Sequence, residues 1–88
     1  TDESLDQEIA KHEAEINRLK NMKQNIDKEK TKAELQDKLT RLKKLLDDKL
    51  VELGQNLHDE VRKKEINDEL TAISVEIRQV EARLNELS

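Results

Sequence analysis

The sequence contains no cysteine, no proline and no phenylalanine, tyrosine or tryptophan, and glycine occurs once in 88 residues. Each absence removes a class. Without cysteine there is no disulfide scaffold. Without Gly- and Pro-rich runs there is no collagen-like chain or flexible linker. Without aromatic rings there is no stacking platform for single-stranded nucleic acid. The closely spaced turn residues that a β-sheet protein of this size needs are missing. The longest apolar runs are pairs such as Leu45–Leu46 and Leu50–Val51, far from the roughly twenty apolar residues of a membrane span.

What is present is charge and aliphatic side chains. Asp, Glu, Lys and Arg make up 43% of the chain, with 17 basic against 21 acidic residues and a formal charge of -4. That balance is ordinary for a soluble protein and lacks the strong basic excess of a dedicated nucleic-acid binder. The length fits one small helical domain over residues 1–88. The large aliphatics are thirteen Leu, six Ile, four Val and one Met, a modest core that a second copy or another protein's helix would extend. The chain starts at Thr1 without a methionine, as expected of a trimmed chain or a piece of something larger. It shows no secretory or targeting motif, so the expected compartment is the cytoplasm.

Apolar residues recur at steps of three and four, the spacing of helices with one buried stripe. In the first stretch Ile9 and Ile16 occupy heptad a positions, and Leu5, His12, Leu19 and Ile26 occupy d positions. Ser4 with Gln7 has the form of a capping box. The stripe lapses over Asp27–Lys32, where Thr31 and Glu34 form a second such box. It returns with Leu39, Leu46 and Leu53 at a, a slip of two residues that neither usual coiled-coil insertion supplies. A turn is therefore expected at 28–31. The second stretch adds Leu45 and Leu50 beside its seam, as a central helix touching two neighbours would.

Gly54 follows Leu53 and could close that helix in the left-handed conformation, with Asn56 capping the next. The competing reading is a glycine tolerated inside one long helix at a cost of about 1 kcal/mol. The last stretch, Ile66, Leu70, Ile73, Ile77, Val80, Leu84 and Leu87, alternates steps of four and three without an error. A weaker line of Val61, Val75 and Ala82 is either a docking strip for a further helix or scattered surface aliphatics. Segments Glu8–Leu19 and Glu76–Leu87 share six of twelve residues, which the narrow residue choice of coiled coils explains as well as a repeat does.

The expected architecture is all-α: an antiparallel three-helix bundle or coiled coil with helices at about 4–27, 32–53 and 57–87. The alternative is a two-helix hairpin whose long second helix runs 32–87. At 1.5 Å per residue the three helices would span about 36, 33 and 46 Å, leaving the end with Leu84 and Leu87 uncovered.

Chemistry is sparse. The candidate nucleophiles are Ser and Thr hydroxyls, with no Gly-rich loop or oxyanion site to support one. No enzyme, cofactor, metal or small-molecule substrate is expected. Glu8, His12 and Glu15 share a helical face, but their spacing is not the Glu-x-x-His pair of di-metal bundles. His12 and Lys23, polar residues in the first seam, can set register or partner, or lie solvated at its edge. Residues 20–44 carry nine Lys and Arg against four acids. Their lysines Lys20, Lys23, Lys28, Lys30 and Lys32 would form a basic hairpin tip able to touch nucleic-acid phosphates or an anionic membrane surface, or a merely solvated loop.

The leading functional expectation is a non-enzymatic coiled-coil interaction or assembly module. It would associate with itself or another helical protein through Ile66, Leu70, Ile73, Ile77, Val80, Leu84 and Leu87. A regulator binding nucleic acid or an anionic surface through the basic region is the alternative.

Overall fold

A computed structural model describes all 88 residues. It holds two α-helices and no strand: α1 spans Asp2–Gln55 and α2 spans Glu60–Leu87. The all-α class and the helical hairpin are as expected, but the helices number two rather than three. The bend falls at 56–59, so the long helix is the first and not the second. Two units divide the chain, Thr1–Thr31 and Lys32–Ser88.

In the first unit the helix starts earlier than the Ser4 box implies. Thr1 is the capping residue: its Oγ1 accepts from the Ser4 N–H at 3.2 Å, and its carbonyl accepts from the Leu5 N–H at 3.1 Å. Asp2 and Glu3 then lie in the first turn, where the helix dipole favours acids. The expected turn at 28–31 does not form. Asp27–Lys32 holds no Gly or Pro, and its Lys and Glu are strong helix formers. Thr31 does not cap a new helix; its Oγ1 donates to the Asp27 carbonyl at 3.0 Å, one turn back along α1.

The second unit is an antiparallel hairpin. Leu39 and Leu42 of α1 form a buried cluster with Ile73, Ile77 and Val80 of α2, and Leu35, Leu46 and Leu84 pack against it. Ile66 is fully buried, at 0% exposure. Leu45 and Leu50, expected to face a second neighbour, are exposed.

The bend is built from side chains, not from a left-handed glycine. Gly54 sits in the last turn of α1 with no positive φ. Asn56 closes α1: its N–H donates to the Leu53 carbonyl at 3.1 Å and its Nδ2 to the Glu52 carbonyl at 2.7 Å. Asp59, not Asn56, caps α2, accepting from the Arg62 N–H at 3.0 Å. A Cβ added at Gly54 would meet nothing within 4 Å. Gly54→Ala is therefore expected to stabilise the hairpin by about 1 kcal/mol, read as a higher urea midpoint. A lower midpoint would show that the glycine relieves a contact or strain.

An ionic clasp joins the helices beside the bend. Lys49 reaches Glu69 at 2.8 Å and Glu52 at 3.1 Å, while Arg62 pairs with Glu52 and, at 2.9 Å, with Glu65. Farther along, Lys38 meets Glu76 at 3.2 Å and Lys43 meets Glu81 at 3.9 Å. The Arg62 hydrogen bond, then that of Lys49, holds the Glu52 carboxyl below its ordinary 4.5. Glu69 first and Glu52 second hold Lys49 above its ordinary 10.5. A depressed carboxyl stabilises the fold above its unfolded value and loses that contribution as pH falls through the folded value; a raised ammonium does the reverse as pH rises. The urea midpoint should accordingly decline both below about pH 4.5 and above about pH 10.5. Glu52→Gln should flatten the acid limb, and an unchanged limb would remove Glu52 as its source.

Candidate helix-docking surface

The α2 seam singled out by the sequence is largely occupied within the chain. Ile66, Ile73, Ile77 and Val80 are buried, and Leu70, Leu84 and Leu87 are half-buried. Ile73, Ile77, Val80 and Leu84 pack with Leu35, Leu39, Leu42 and Leu46 of the chain's own α1. Leu84 and Leu87 do not form the bare overhang expected of a longer last helix: Leu84 packs against the core cluster, and Ser88 closes α2 by donating its N–H to the Asn85 carbonyl at 3.3 Å. The four side chains Ile73, Ile77, Val80 and Leu84 hold the hairpin together.

The uncovered stripe lies in the first unit. Leu5, Ile9, Ile16, Leu19, Met22 and Ile26 are each about half or more exposed, from 47% at Met22 to 64% at Ile26. Every residue from Thr1 to Lys30 is exposed. On a helix these apolar side chains share one face at steps of three, four and seven. A contiguous stripe of large aliphatics differs from scattered surface residues, which are common and neutral. His12 interrupts it and pairs with Glu8 at 3.3 Å. Arg18 flanks it, donating from Nε to Glu15 at 3.0 Å and from Nη1 to the Met22 sulfur at 3.2 Å. That pairing draws the Glu15 carboxyl below its ordinary value and raises the Arg18 guanidinium. The guanidinium thus meets the Met22 sulfur at the edge of the stripe, whose aliphatics stay exposed.

The basic tip is not a tip. With no turn at 28–31, Lys20, Lys23, Lys28 and Lys30 stand along a continuous helix. At about 100° per residue they fan over about 160° of its surface, so they do not converge on one phosphate-sized target. Lys32 is half-buried in the second unit.

Elsewhere the surface offers little. Two furrows of about 400 and 420 Å³ flank α2, both open and both bordered by Val75. Val61 and Val75 are exposed. No three His, Cys, Asp or Glu side chains come together as a metal ion would require. No helix is long and apolar enough to cross a membrane. No family model, curated protein or solved structure matches the chain.

Both stripes are visible in the aliphatic spacing, which singles out the more regular one, on α2, for docking. The signal for the other choice was present. A seam with a histidine at d and a lysine at a makes a poor permanent core, because buried polar groups without partners are costly. The error-free seam is the one a hairpin keeps for itself.

Proposed function

We propose that this chain is a non-enzymatic helix-pairing module. The hairpin of residues 32–88 folds on its own seam, and the helix of residues 1–31 carries an apolar heptad stripe for a second helix. The supporting observation is that Leu5, Ile9, Ile16, Leu19 and Ile26 are all exposed, whereas the hairpin's seam residues Leu39, Leu42, Ile66, Ile73, Ile77 and Val80 are buried. A stripe of this width, with charged flanks, suits coiled-coil pairing.

Fluorescence anisotropy tests the reading. The chain has no native cysteine, so Glu3→Cys takes a single dye. Four probes are titrated: unlabelled chain, a designed helical peptide with Ile and Leu at a and d, duplex DNA, and phosphatidylserine vesicles. Helix pairing requires saturable binding to one or both helical probes, tolerant of salt and lost in Ile16→Asp with Leu19→Asp. Binding to DNA or vesicles alone, dissolving as salt rises and surviving that double substitution, would replace this reading with the electrostatic one. Silence from all four probes would also end it.

A further inference from the structure

The stripe belongs to a segment whose charge is split along its length. Residues 1–15 hold Asp2, Glu3, Asp6, Glu8, Glu13 and Glu15 against Lys11 alone, a net of -5. Residues 16–31 hold Arg18, Lys20, Lys23, Lys28 and Lys30 against Asp27 and Glu29, a net of +3. A helix that pairs along this whole stripe must oppose acid with base at one end and base with acid at the other. The same segment read backwards has that order. Building on the docking role above, we infer that the occupant of the stripe is a second copy of the chain, bound antiparallel through residues 5–30.

The heptad positions fix the register. In antiparallel pairs an a residue meets a d residue, and the assembly has two-fold symmetry. Placing the dyad between Asn17 and Arg18 sets Ile16 against Leu19 of the second copy and Ile9 against its Ile26, each twice by symmetry. These are the four central aliphatics. The two polar seam residues, His12 and Lys23, then meet each other in one layer on either side of the dyad, where long side chains can reach solvent. On the flanks Glu13 comes level with Lys20 of the second copy, and Lys30 with its Leu5 and Asp6. Two acidic pairs, Asp6 with Asp27 and Glu8 with Glu29, also come level, each with Lys28 or Lys30 nearby in sequence. Moving the dyad one layer toward the N-terminus is worse: His12 would face Ile16, and Ile26 would face Asp2.

The parallel arrangement fails on charge. It lays the -5 end on the -5 end and puts Lys23 on Lys23 and His12 on His12 in the seam; on its flanks Glu8 opposes Glu13 while Glu15 meets Lys20, so the flank pairs do not offset that cost. The choice rests on the opposed -5 and +3 halves and on keeping Lys23 from facing Lys23 in the seam, where like charges are costliest.

The test uses two chains, Leu5→Cys and Lys30→Cys, whose positions form one layer only in this antiparallel register. Facing seam positions lie within the Cα range that a disulfide spans. Oxidising an equimolar mixture should give the mixed disulfide in excess, and each chain alone should remain largely uncrosslinked. In parallel, sedimentation equilibrium of the native sequence should show mass rising from 10.3 kDa toward twice that value with concentration. Glu13→Lys should weaken the dimer about tenfold, since two attractions become two repulsions, and adding Lys20→Glu should restore it. Preferential Leu5→Cys homodisulfide would overturn the antiparallel assignment. A chain that stays at 10.3 kDa at all concentrations yet binds the designed peptide would overturn self-pairing and leave the docking role standing. A chain that binds neither would overturn both.

Discussion

Ile66→Ala is expected to lower the unfolding free energy of the hairpin by about 2–5 kcal/mol. Ile66 is the one side chain in the molecule with no exposure at all. Its truncation removes buried methyl groups and leaves a void that a two-helix structure has little second-layer packing to fill. The loss is large against the few kcal/mol by which small domains are stable, so the variant should be partly unfolded without denaturant. Urea melts followed by circular dichroism would read it, with Val61→Ala as the exposed control, expected within about 0.5 kcal/mol of the native sequence. Equal effects at the two sites would mean that the hairpin core is not where the burial places it.

Ile16→Asp with Leu19→Asp should remove helix pairing altogether, a loss of at least about a hundredfold in affinity, because each aspartate would put a charge into the seam, opposite an aliphatic of a designed helix or opposite the other aspartate in a self-pair. Both residues are 50% exposed, so the hairpin's urea midpoint should not move. The same change at Leu84 and Leu87 separates the two surfaces. Those side chains are half-buried at the end of the hairpin seam, so Leu84→Asp with Leu87→Asp should lower the midpoint while pairing through residues 5–26 persists in the folded fraction. If instead the α2 pair abolished association and the α1 pair did not, docking would belong to the α2 seam, as its unbroken heptads first suggest.

The helical class and both stripes were legible because aliphatic spacing alone determines which face of a helix can be buried. The bend next to Gly54 is legible in the sequence, but its mechanism is not, since Asn56 and Asp59 divide the two capping duties and Gly54 stays helical. The expectation of a turn at 28–31 rests on a two-residue slip in the heptads. A slip breaks a helix only if that helix must keep one neighbour along its whole length. Here the stripe from Leu39 faces α2, and the stripe from Leu5 to Ile26 has no such cover, so the phase is free to change while the backbone runs on. Removing that turn reverses the length mismatch. The uncovered aliphatics are then Leu5 to Ile26 and not Leu84 and Leu87. The ionic clasp of Lys49, Glu52, Arg62 and Glu69 was not legible, because it depends on the position of the bend and hence on which charges face each other across the hairpin.

Amide hydrogen exchange, resolved by residue on the native chain and repeated over a range of concentrations, separates the covered seam from the open stripe in one experiment. At the lowest concentration the amides of residues 39–53 and 66–84 should be the slow ones, and those of residues 5–26 should exchange much faster. Raising the concentration should slow residues 5–26 selectively. Strong protection of residues 5–26 in the dilute monomer, equal to that around Ile66, would contradict the assignment of that stripe as an open docking face.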